Sequence, residues 1–277
     1  GRFKDFLICQ GFIVSCFVFS VWFTFGVTVT RLFTSESIAI ELKKNWPENG
    51  SVYIDAFYRP SVAFYGDIYG KVLPKFDKED FEKFLVETDL SQYEGIILIG
   101  TELTPESYPL LESIHIPYVV VDNVCPHIVC NSICMNNDEN VYIAIEYLKR
   151  CGHKSIGYIG GNVYSENFQN RKKGFIESVE VLDLDYIKEH TYMISPTMVG
   201  AYNDMLERLE SIDSLPDCFF AANDTIALGA IKALKEKGFK VPKDVSIIGF
   251  DDIPYSAVSS PALTTVHVQR KQIGKLA

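Results

Sequence analysis

The sequence has none of the motifs by which the common enzyme classes are recognised. Neither a Gly-x-Ser-x-Gly nucleophile elbow nor a Gly-x-x-x-x-Gly-Lys-Ser/Thr phosphate loop occurs in its 277 residues. The run from Gly157 to Gly161 matches a dinucleotide-binding fingerprint only loosely. The five histidines are dispersed, and none has a carboxylate or another histidine at metal-ligand spacing. These absences predict a protein that is not an enzyme and that uses no cofactor.

The chain has little positive charge to offer to nucleic acid. It carries 26 Lys and Arg against 36 Asp and Glu, for a formal net charge of −10 at pH 7. The basic residues are scattered, apart from the short group Arg171–Lys173. An acidic chain does not attract a phosphate backbone, so any contact with DNA would need a separate basic module. We find no such module in the sequence.

The seven cysteines are an odd number and do not form a dense disulfide framework, which favours reduced thiols in a cytosolic protein. Cys125, His127, Cys130 and Cys134 have a spacing that permits a metal site. The residues 128–133, however, alternate as in a strand, which would place neighbouring ligands on opposite faces. The pattern therefore favours small apolar side chains on a sheet, and we predict no metal.

One long uncharged run stands near the start of the chain. Residues 6–30 contain no charged side chain and are long enough to span a bilayer, with Lys4 and Arg31 as flanks. A secretory signal is the other membrane-type interpretation. The last part, 25–33, also fits a first buried strand. Residues 1–25 are left unassigned.

The stretch from Leu215 to Val268 predicts a strand, a helix and a second strand. Cys218–Ala222 is short, apolar and aromatic, which is typical of a buried strand. The helix begins at the cap-type residues Asn223-Asp224-Thr225 and ends near Gly238. Val245–Phe250 predicts the second strand. This order makes a right-handed crossover in a parallel sheet.

Polar residues follow both of these strands. Asn223 and Asp224 come after the first strand, and Asp251 and Asp252 come at the end of the second. Ligands of open α/β sheets bind at the carboxyl ends of the strands. Upstream, strands and helices also alternate, which predicts parallel sheets with helices on both faces. The predicted strands cover 95–100, 117–121, 155–161 and 192–194, and the helices cover 105–114, 138–150, 166–181 and 197–210.

The run FAANDTIALGAIKALKEKGFKVPKDVSIIGFDD, followed by SPALTTV, is similar to the regulatory core of the LacI/GalR family of bacterial transcription factors. The similarity extends through Gly152–Gly161 and Asn170–Phe175 and covers residues 95–277. It implies two Rossmann-like lobes of the type I periplasmic-binding-protein kind, with a ligand cleft between them. The N-terminal lobe is expected over 26–160, the C-terminal lobe over 161–265, and a return crossover with a truncated helix over 266–277.

The resemblance also implies a function. It predicts a sensing domain that binds a small effector, a sugar or a sugar derivative, between its lobes. The expected partners are a second copy in a homodimer and operator DNA, the latter through a headpiece that is absent from this chain. The alternative is a periplasmic or membrane-anchored sugar-binding protein of the same fold, secreted or held through residues 6–30. An enzyme on an α/β scaffold is disfavoured because no catalytic constellation is found.

A polyhydroxylated ligand requires carboxylates, planar amides, a guanidinium and an aromatic face in one rigid site. Asn223 supplies an amide and Asp251 supplies a carboxylate, each at a strand end. Arg171 lies in an Arg-x-x-Gly-Phe pattern and resembles the arginine that reaches the effector in the family. Phe220 is a candidate stacking face or a core aromatic. Asp224 contacts the ligand or favours the helix N-terminus. Three weaker candidates, for each of which a solvent-facing role is favoured over a ligand contact, are Asn137, Glu102 and Arg31.

Overall fold

The computed structural model describes residues 53–55, 71–73, 78–93, 95–101, 103–126, 128–212 and 214–277. The candidates Arg31 and Glu102, together with His127 and the apolar run 6–30, lie outside these ranges. What the sequence predicts for them stays a prediction. Within the described part, no helix is both long enough and apolar enough to cross a membrane.

The first half of the described chain forms two small parallel sheets. Strands β1 (Tyr53–Asp55) and β2 (Lys71–Leu73) pair with each other. The second sheet has the order β3-β4-β5, with bounds Ile96–Ile99, Tyr118–Val121 and Asn131–Ile133. Helices α1 (Lys78–Glu87) and α2 (Tyr108–Leu111) accompany these strands, with 3-10 turns at Leu90–Gln92 and Pro105–Ser107. A core of buried side chains joins α1 to β3 and β4: Phe81, Phe84, Leu98, Leu103, Leu111, Val120 and Cys125.

The second half is built on a five-stranded, all-parallel sheet of order β10-β9-β8-β6-β7. The strands are β6 (Ser155–Gly161), β7 (Asp185–Ile194), β8 (Cys218–Ala221), β9 (Ser246–Asp251) and β10 (Thr264–His267). The helices are α3 (Asn137–Arg150), α4 (Glu166–Val181), α5 (Met198–Leu209), α6 (Asp224–Glu236), α7 (Pro254–Val258) and α8 (Arg270–Leu276). The predicted α/β class, with parallel sheets flanked by helices, is confirmed.

Helices cover both faces of the five-stranded sheet, so its central strands are apolar on both sides. On one face α5 and α6 pack against Phe219 and Ala221. On the other face α3 and α4 pack against Phe220 and Tyr158. Successive residues of β8 therefore enter different cores. Because β8 and β9 pair in parallel, their carboxyl ends lie side by side at the same end of the strands.

The predicted boundary between the lobes at residue 160 falls inside strand β6. Strand β6 does not close the first lobe; it lies between β7 and β8 in the five-stranded sheet. Helix α3 packs on that same sheet, against β6 and α4. The physical reason is that β6 is buried on both faces and needs a neighbour on each side. At the other end, β10 remains hydrogen-bonded to β9 through His267, so the return crossover begins after that residue rather than at 266.

Candidate functional site

Arg171, in α4, is the centre of a polar cluster at the strand ends of the five-stranded sheet. Its side chain is only 4% exposed, and its Nη2 lies 3.0 Å from Oδ1 of Asp251, the last residue of β9. The Nη1 group donates to the backbone carbonyl of Ala222, just after β8, at 2.6 Å. The guanidinium carbon lies 3.8 Å from the ring centroid of Phe250. Ion pair, hydrogen bond and cation–π contact together compensate the burial of the charge.

A line of side-chain amides continues from Arg171 toward the three-stranded sheet. Arg171 Nε donates to Oδ1 of Asn137 at 3.0 Å, and Nδ2 of Asn137 donates to Oδ1 of Asn167 at 2.8 Å. Nδ2 of Asn167 donates in turn to the backbone carbonyl of Asp122, which follows β4, at 3.4 Å. We call Asp122, Asn137, Asn167, Arg171 and Asp251 the strand-end network. It connects the carboxyl ends of strands from two different sheets.

The two carboxylates of the strand-end network lie in a weakly solvated environment. Burial raises the pKa of Asp251, although the nearby Arg171 guanidinium opposes the shift; the negative charge of Asp122 adds to it. Burial likewise raises the pKa of Asp122, again against the attraction of Arg171. The Asp251 side chain is 30% exposed, which makes it the most accessible acceptor beside Arg171. Oδ1 of Asp122 is buried and accepts no hydrogen bond from the described residues.

The backbone is strained where these carboxylates are held. Asp122 has φ = 67°, Asp251 has φ = 111° and Asp252 has φ = 51°. Residues other than glycine are uncommon at positive φ, and such strain is concentrated at functional sites. Asp252 Oδ2 lies 2.6 Å from Nδ1 of His267, and this pair fixes the turn after β9.

Asn223 occupies the position predicted for it, at the carboxyl end of β8, and serves as the N-cap of α6. Its Oδ1 accepts a hydrogen bond from the backbone N–H of Ile226 at 2.8 Å. It is partly exposed and directly follows Ala222, whose carbonyl binds Arg171. A ligand contact by Asn223 stays a prediction.

Phe220 is a core residue in this structure, which is one of the two roles that the sequence leaves open for it. Its side chain is fully buried, with ring centroids 5.9 Å from Phe175 and 6.2 Å from Tyr158. It points to the face of the sheet that α3 and α4 cover, because alternate residues of a strand face opposite sides. A ring held there cannot stack on a ligand at the strand ends.

Asp224 has a structural task in place of the predicted ligand contact. The residue is fully buried, and Oδ2 accepts from the backbone N–H of Ile253 at 2.9 Å and from the Ser256 hydroxyl at 2.6 Å. The Thr265 hydroxyl donates to its Oδ1. Asp224 thus connects the start of α6 to α7 and β10. Burial raises its pKa, while these three donors act in the opposite direction.

Two members of the strand-end network, Asp122 and Asn167, are not among the predicted site residues. Asp122 follows β4 just as Asn223 follows β8, so the rule of carboxyl strand ends selects it when applied to the first sheet. Asn167 lies in the first turn of α4 and has no signal in the sequence, because its role depends on the packing of α4 against α3.

The described cysteines differ in burial: Cys125 and Cys218 are buried, Cys130 and Cys134 are partly buried, and Cys151 is exposed. No group of three or more His, Cys, Asp and Glu side chains in that part could hold a metal ion. Cys125 is buried in the core that joins α1 to β3 and β4, and this burial raises the pKa of its thiol to about 12. Burial also raises the pKa of Cys134 to about 11. Protonated thiols are poor metal ligands and poor nucleophiles.

The chain is similar to known proteins in sequence. Residues 145–277 match the family model described as periplasmic binding protein-like domain. The HTH-type transcriptional repressor PurR of Haemophilus influenzae is 35% identical over 214 residues, which are 74% of this chain and 61% of that repressor. The chain thus spans about three-fifths of the length of the curated relatives it matches.

Solved structures share the fold. A sugar-binding transcriptional regulator of the LacI family from Escherichia coli, complexed with phosphate, superposes with a TM-score of 0.68 over 81% of this chain and 86% of that one, at 19% identity. A dimeric Lac repressor with a C-terminal deletion gives a TM-score of 0.67 over 76% of each chain, at 23% identity. The predicted periplasmic-binding-protein-like architecture is confirmed by these likenesses.

Proposed function

We propose that the chain, which has the sequence and fold of the effector-binding core of LacI/GalR transcriptional regulators, binds a small effector at the strand-end network. One observation carries this proposal: a continuous line of hydrogen bonds joins Asp122, after β4, to Asp251, at the end of β9. A ligand that engages this line contacts groups from both sheets. It can therefore favour one arrangement of the lobes over another, which is the requirement for an allosteric effect.

The chemistry of the strand-end network fits a sugar or a sugar derivative. Its two carboxylates, two amides and one guanidinium are held in fixed positions. The partly exposed Asp251 and the unpartnered Oδ1 of Asp122 leave acceptors for the hydroxyl donors of a small polar ring. A structural relative that is named a sugar-binding regulator supports this ligand class. We propose that the chain binds its effector and does not convert it, so turnover of a candidate sugar would contradict the proposal.

The regulatory role follows from the relatives and is also part of the proposal. The sequence relatives are named HTH-type repressors, and one structural relative is a dimeric Lac repressor. We infer that the chain works in the cytoplasm as a homodimer, and that the effector alters the spacing of DNA-binding headpieces. Sedimentation of the purified chain tests the dimer, and recovery in the membrane or secreted fraction would contradict the location.

A thermal-shift screen against sugars, sugar phosphates and nucleobases tests ligand binding. A ligand at 100 times its Kd stabilises a protein by about 2.7 kcal/mol, which corresponds to a rise in Tm of roughly 5–10 °C for a domain of this size. We predict that Asp251→Asn lowers the affinity for the stabilising compound by about 10- to 100-fold, because it removes the charge from a hydrogen-bonding acceptor.

The matched control is Asp185→Asn, which removes the same charge from an exposed position at the start of β7. Asp251 is a better test than Arg171, since Arg171→Ala would also leave Asn137 and the Ala222 carbonyl without their donor. Equal affinity of the Asp251→Asn and Asp185→Asn variants for the stabilising compound would eliminate the strand-end network as the binding site.

A further inference from the structure

The donors of Arg171 are largely used within the protein. Nε donates to Asn137, Nη1 donates to the Ala222 carbonyl, and Nη2 contacts Asp251 at 3.0 Å and Met135 Sδ at 3.3 Å. The side chain is only 4% exposed. A guanidinium has five N–H groups. Four contacts and deep burial leave this one little capacity to bind the phosphate or carboxylate of a ligand.

Asp122 is in the opposite situation, because its carboxylate has acceptor capacity that the described residues do not use. Oδ1 is buried and accepts no hydrogen bond from any described residue. The backbone at this position is nevertheless fixed: the N–H donates to the carbonyl of Ile133 at 2.9 Å, and the carbonyl accepts from Asn167. A buried carboxylate oxygen without a donor is destabilising, so Oδ1, to which no described residue donates, is open to a donor supplied by a ligand.

The net charge of the strand-end network also disfavours a negatively charged ligand. The strand-end network contains two carboxylates, Asp122 and Asp251, and one guanidinium, which gives a formal charge of −1. The nearby Arg270 donates to the backbone carbonyl of Asp252, whose side chain pairs with His267. A negatively charged ligand would be repelled by the strand-end network, whereas a protonated amine would be attracted.

We propose that the strand-end network selects an effector without negative charge, which presents an amine or another N–H donor to Oδ1 of Asp122, and that it rejects phosphorylated or carboxylated analogues. The inference rests on the proposed function and specifies its ligand class. An amine is preferred to a hydroxyl at this point because a protonated amine adds a direct charge attraction to its hydrogen bond with the carboxylate, whereas a hydroxyl contributes the hydrogen bond alone.

The first experiment needs no ligand and uses Asp122→Asn. Asparagine has the same shape and tolerates positive φ as aspartate does, but it carries no charge to desolvate. We expect the unliganded variant to have a Tm about 2–6 °C above that of the parent protein at pH 7. Asp185→Asn, at an exposed position, should leave the Tm unchanged. A lower Tm for Asp122→Asn would overturn the inference.

The rise in Tm that we expect for Asp122→Asn should also depend on pH. The folded-state pKa of Asp122 is raised, so the ionised carboxylate destabilises the folded protein at neutral pH. The difference in Tm should shrink as the pH falls through that pKa toward about 4, the unfolded value. The titratable and charged groups that interact with Asp122 are Arg171, Asp251 and the thiol of Cys134. A difference independent of pH would contradict a charge-based origin.

The second experiment uses matched probes in the parent protein: glucose, glucosamine and glucose 6-phosphate, the corresponding galactose set, and inorganic phosphate at constant ionic strength. We expect the amino sugars to raise Tm most and the phosphates not at all. The inference would be overturned if a sugar phosphate or inorganic phosphate raises the Tm of the parent protein and this rise is lost in the Arg171→Lys variant. If no sugar of any kind stabilises the protein, the proposed function is contradicted. The Tm of Asp122→Asn still shows whether the Asp122 charge destabilises the unliganded protein.

Discussion

At the scale of single residues, Asp217 shows how one exposed side chain joins two neighbouring strands. Its Oδ2 accepts from the backbone N–H groups of Lys154 and Ser155, at 2.8 and 3.0 Å, at the start of β6. Its own N–H donates to the Ser155 hydroxyl at 2.9 Å, just before β8 begins. These hydrogen bonds lower the pKa of the Asp217 carboxyl, because they stabilise its ionised form.

We predict that Asp217→Asn lowers the free energy of unfolding at pH 7 by about 0.5–1 kcal/mol, a small value because the side chain is exposed. A lowered folded-state pKa means that the ionised carboxylate stabilises the protein above the unfolded pKa, about 3.9, and that this contribution is lost as the pH falls through the folded value. Urea unfolding should therefore show a smaller difference between parent and variant at pH 3 than at pH 7. A difference of equal size at both values would assign the effect to geometry instead of charge.

The residues of the candidate site differ in how far the sequence can identify them. Arg171, Asn137 and Asp251 are predicted from strand ends and from the family pattern, and the structure brings them into direct contact. For Phe220 the sequence leaves a stacking role and a core role open, because its position near a strand end does not reveal which face of the sheet it occupies. Asn167 cannot be predicted, since its two partners are 30 and 45 residues away in the chain.

At the scale of elements, the packing of α5 on α6 depends on a glycine in the middle of α6. A Cβ atom on Gly229 would lie 2.7 Å from Cβ of Ala201 and 2.7 Å from the backbone carbonyl of Met198. Glycine in a helix interior is unfavourable by about 1 kcal/mol relative to alanine. Here it lets the two helices approach more closely than any side chain would permit, and Ala201 and Met205 are fully buried as a result.

We predict that Gly229→Ala destabilises the protein by about 1–3 kcal/mol in spite of its better helix propensity, because the new methyl group meets backbone that cannot move freely. Gly274→Ala is the matched control: it lies inside α8, and a Cβ there would meet nothing within 4 Å. The control should stabilise α8 by up to about 1 kcal/mol. Chemical denaturation of both variants measures the difference, and a stabilised Gly229→Ala protein would show that the interface has room.

Prediction of elements succeeds where apolar periodicity is strong and fails where an element lies at an edge. Helix α4 has the predicted bounds, Glu166–Val181. Strand β7 is predicted over 192–194 but begins at Asp185. It is an edge strand of the five-stranded sheet, and its first half is rich in charged side chains that an edge tolerates and a central strand does not. Those charges conceal the strand from a search for apolar runs.

At the scale of the whole molecule, the order of strands in space is the property that the sequence conceals. Alternation along the chain predicts parallel sheets correctly, but it does not say which sheet a strand joins. Strand β6 pairs with β8, more than fifty residues later, and this long-range pairing moves the start of the second lobe back to α3. Only the burial of β6 on both faces would have indicated a central position.

Asn167 provides the test of whether the two lobes are coupled through the strand-end network. It is buried, and it bonds to Asn137 in the second lobe and to the Asp122 carbonyl in the first. Asn167→Ala removes both bonds. We predict faster hydrogen exchange in the loop after β4, with unchanged exchange in β6 and β8, whose ladders do not involve this side chain.

The same variant should bind the effector about 2- to 10-fold more weakly, since a neutral hydrogen bond contributes about 0.5–1.5 kcal/mol. Asn203→Ala, at an exposed position in α5, makes the same change of residue type and should leave both measurements as in the parent protein. Hydrogen exchange that rises equally in both variants, or that rises in β6 and β8 as well, would mean that Asn167 supports the second lobe alone. In that case an effector bound at the network would have no route through Asn167 to the first lobe, and coupling would have to pass through direct ligand contacts with Asp122.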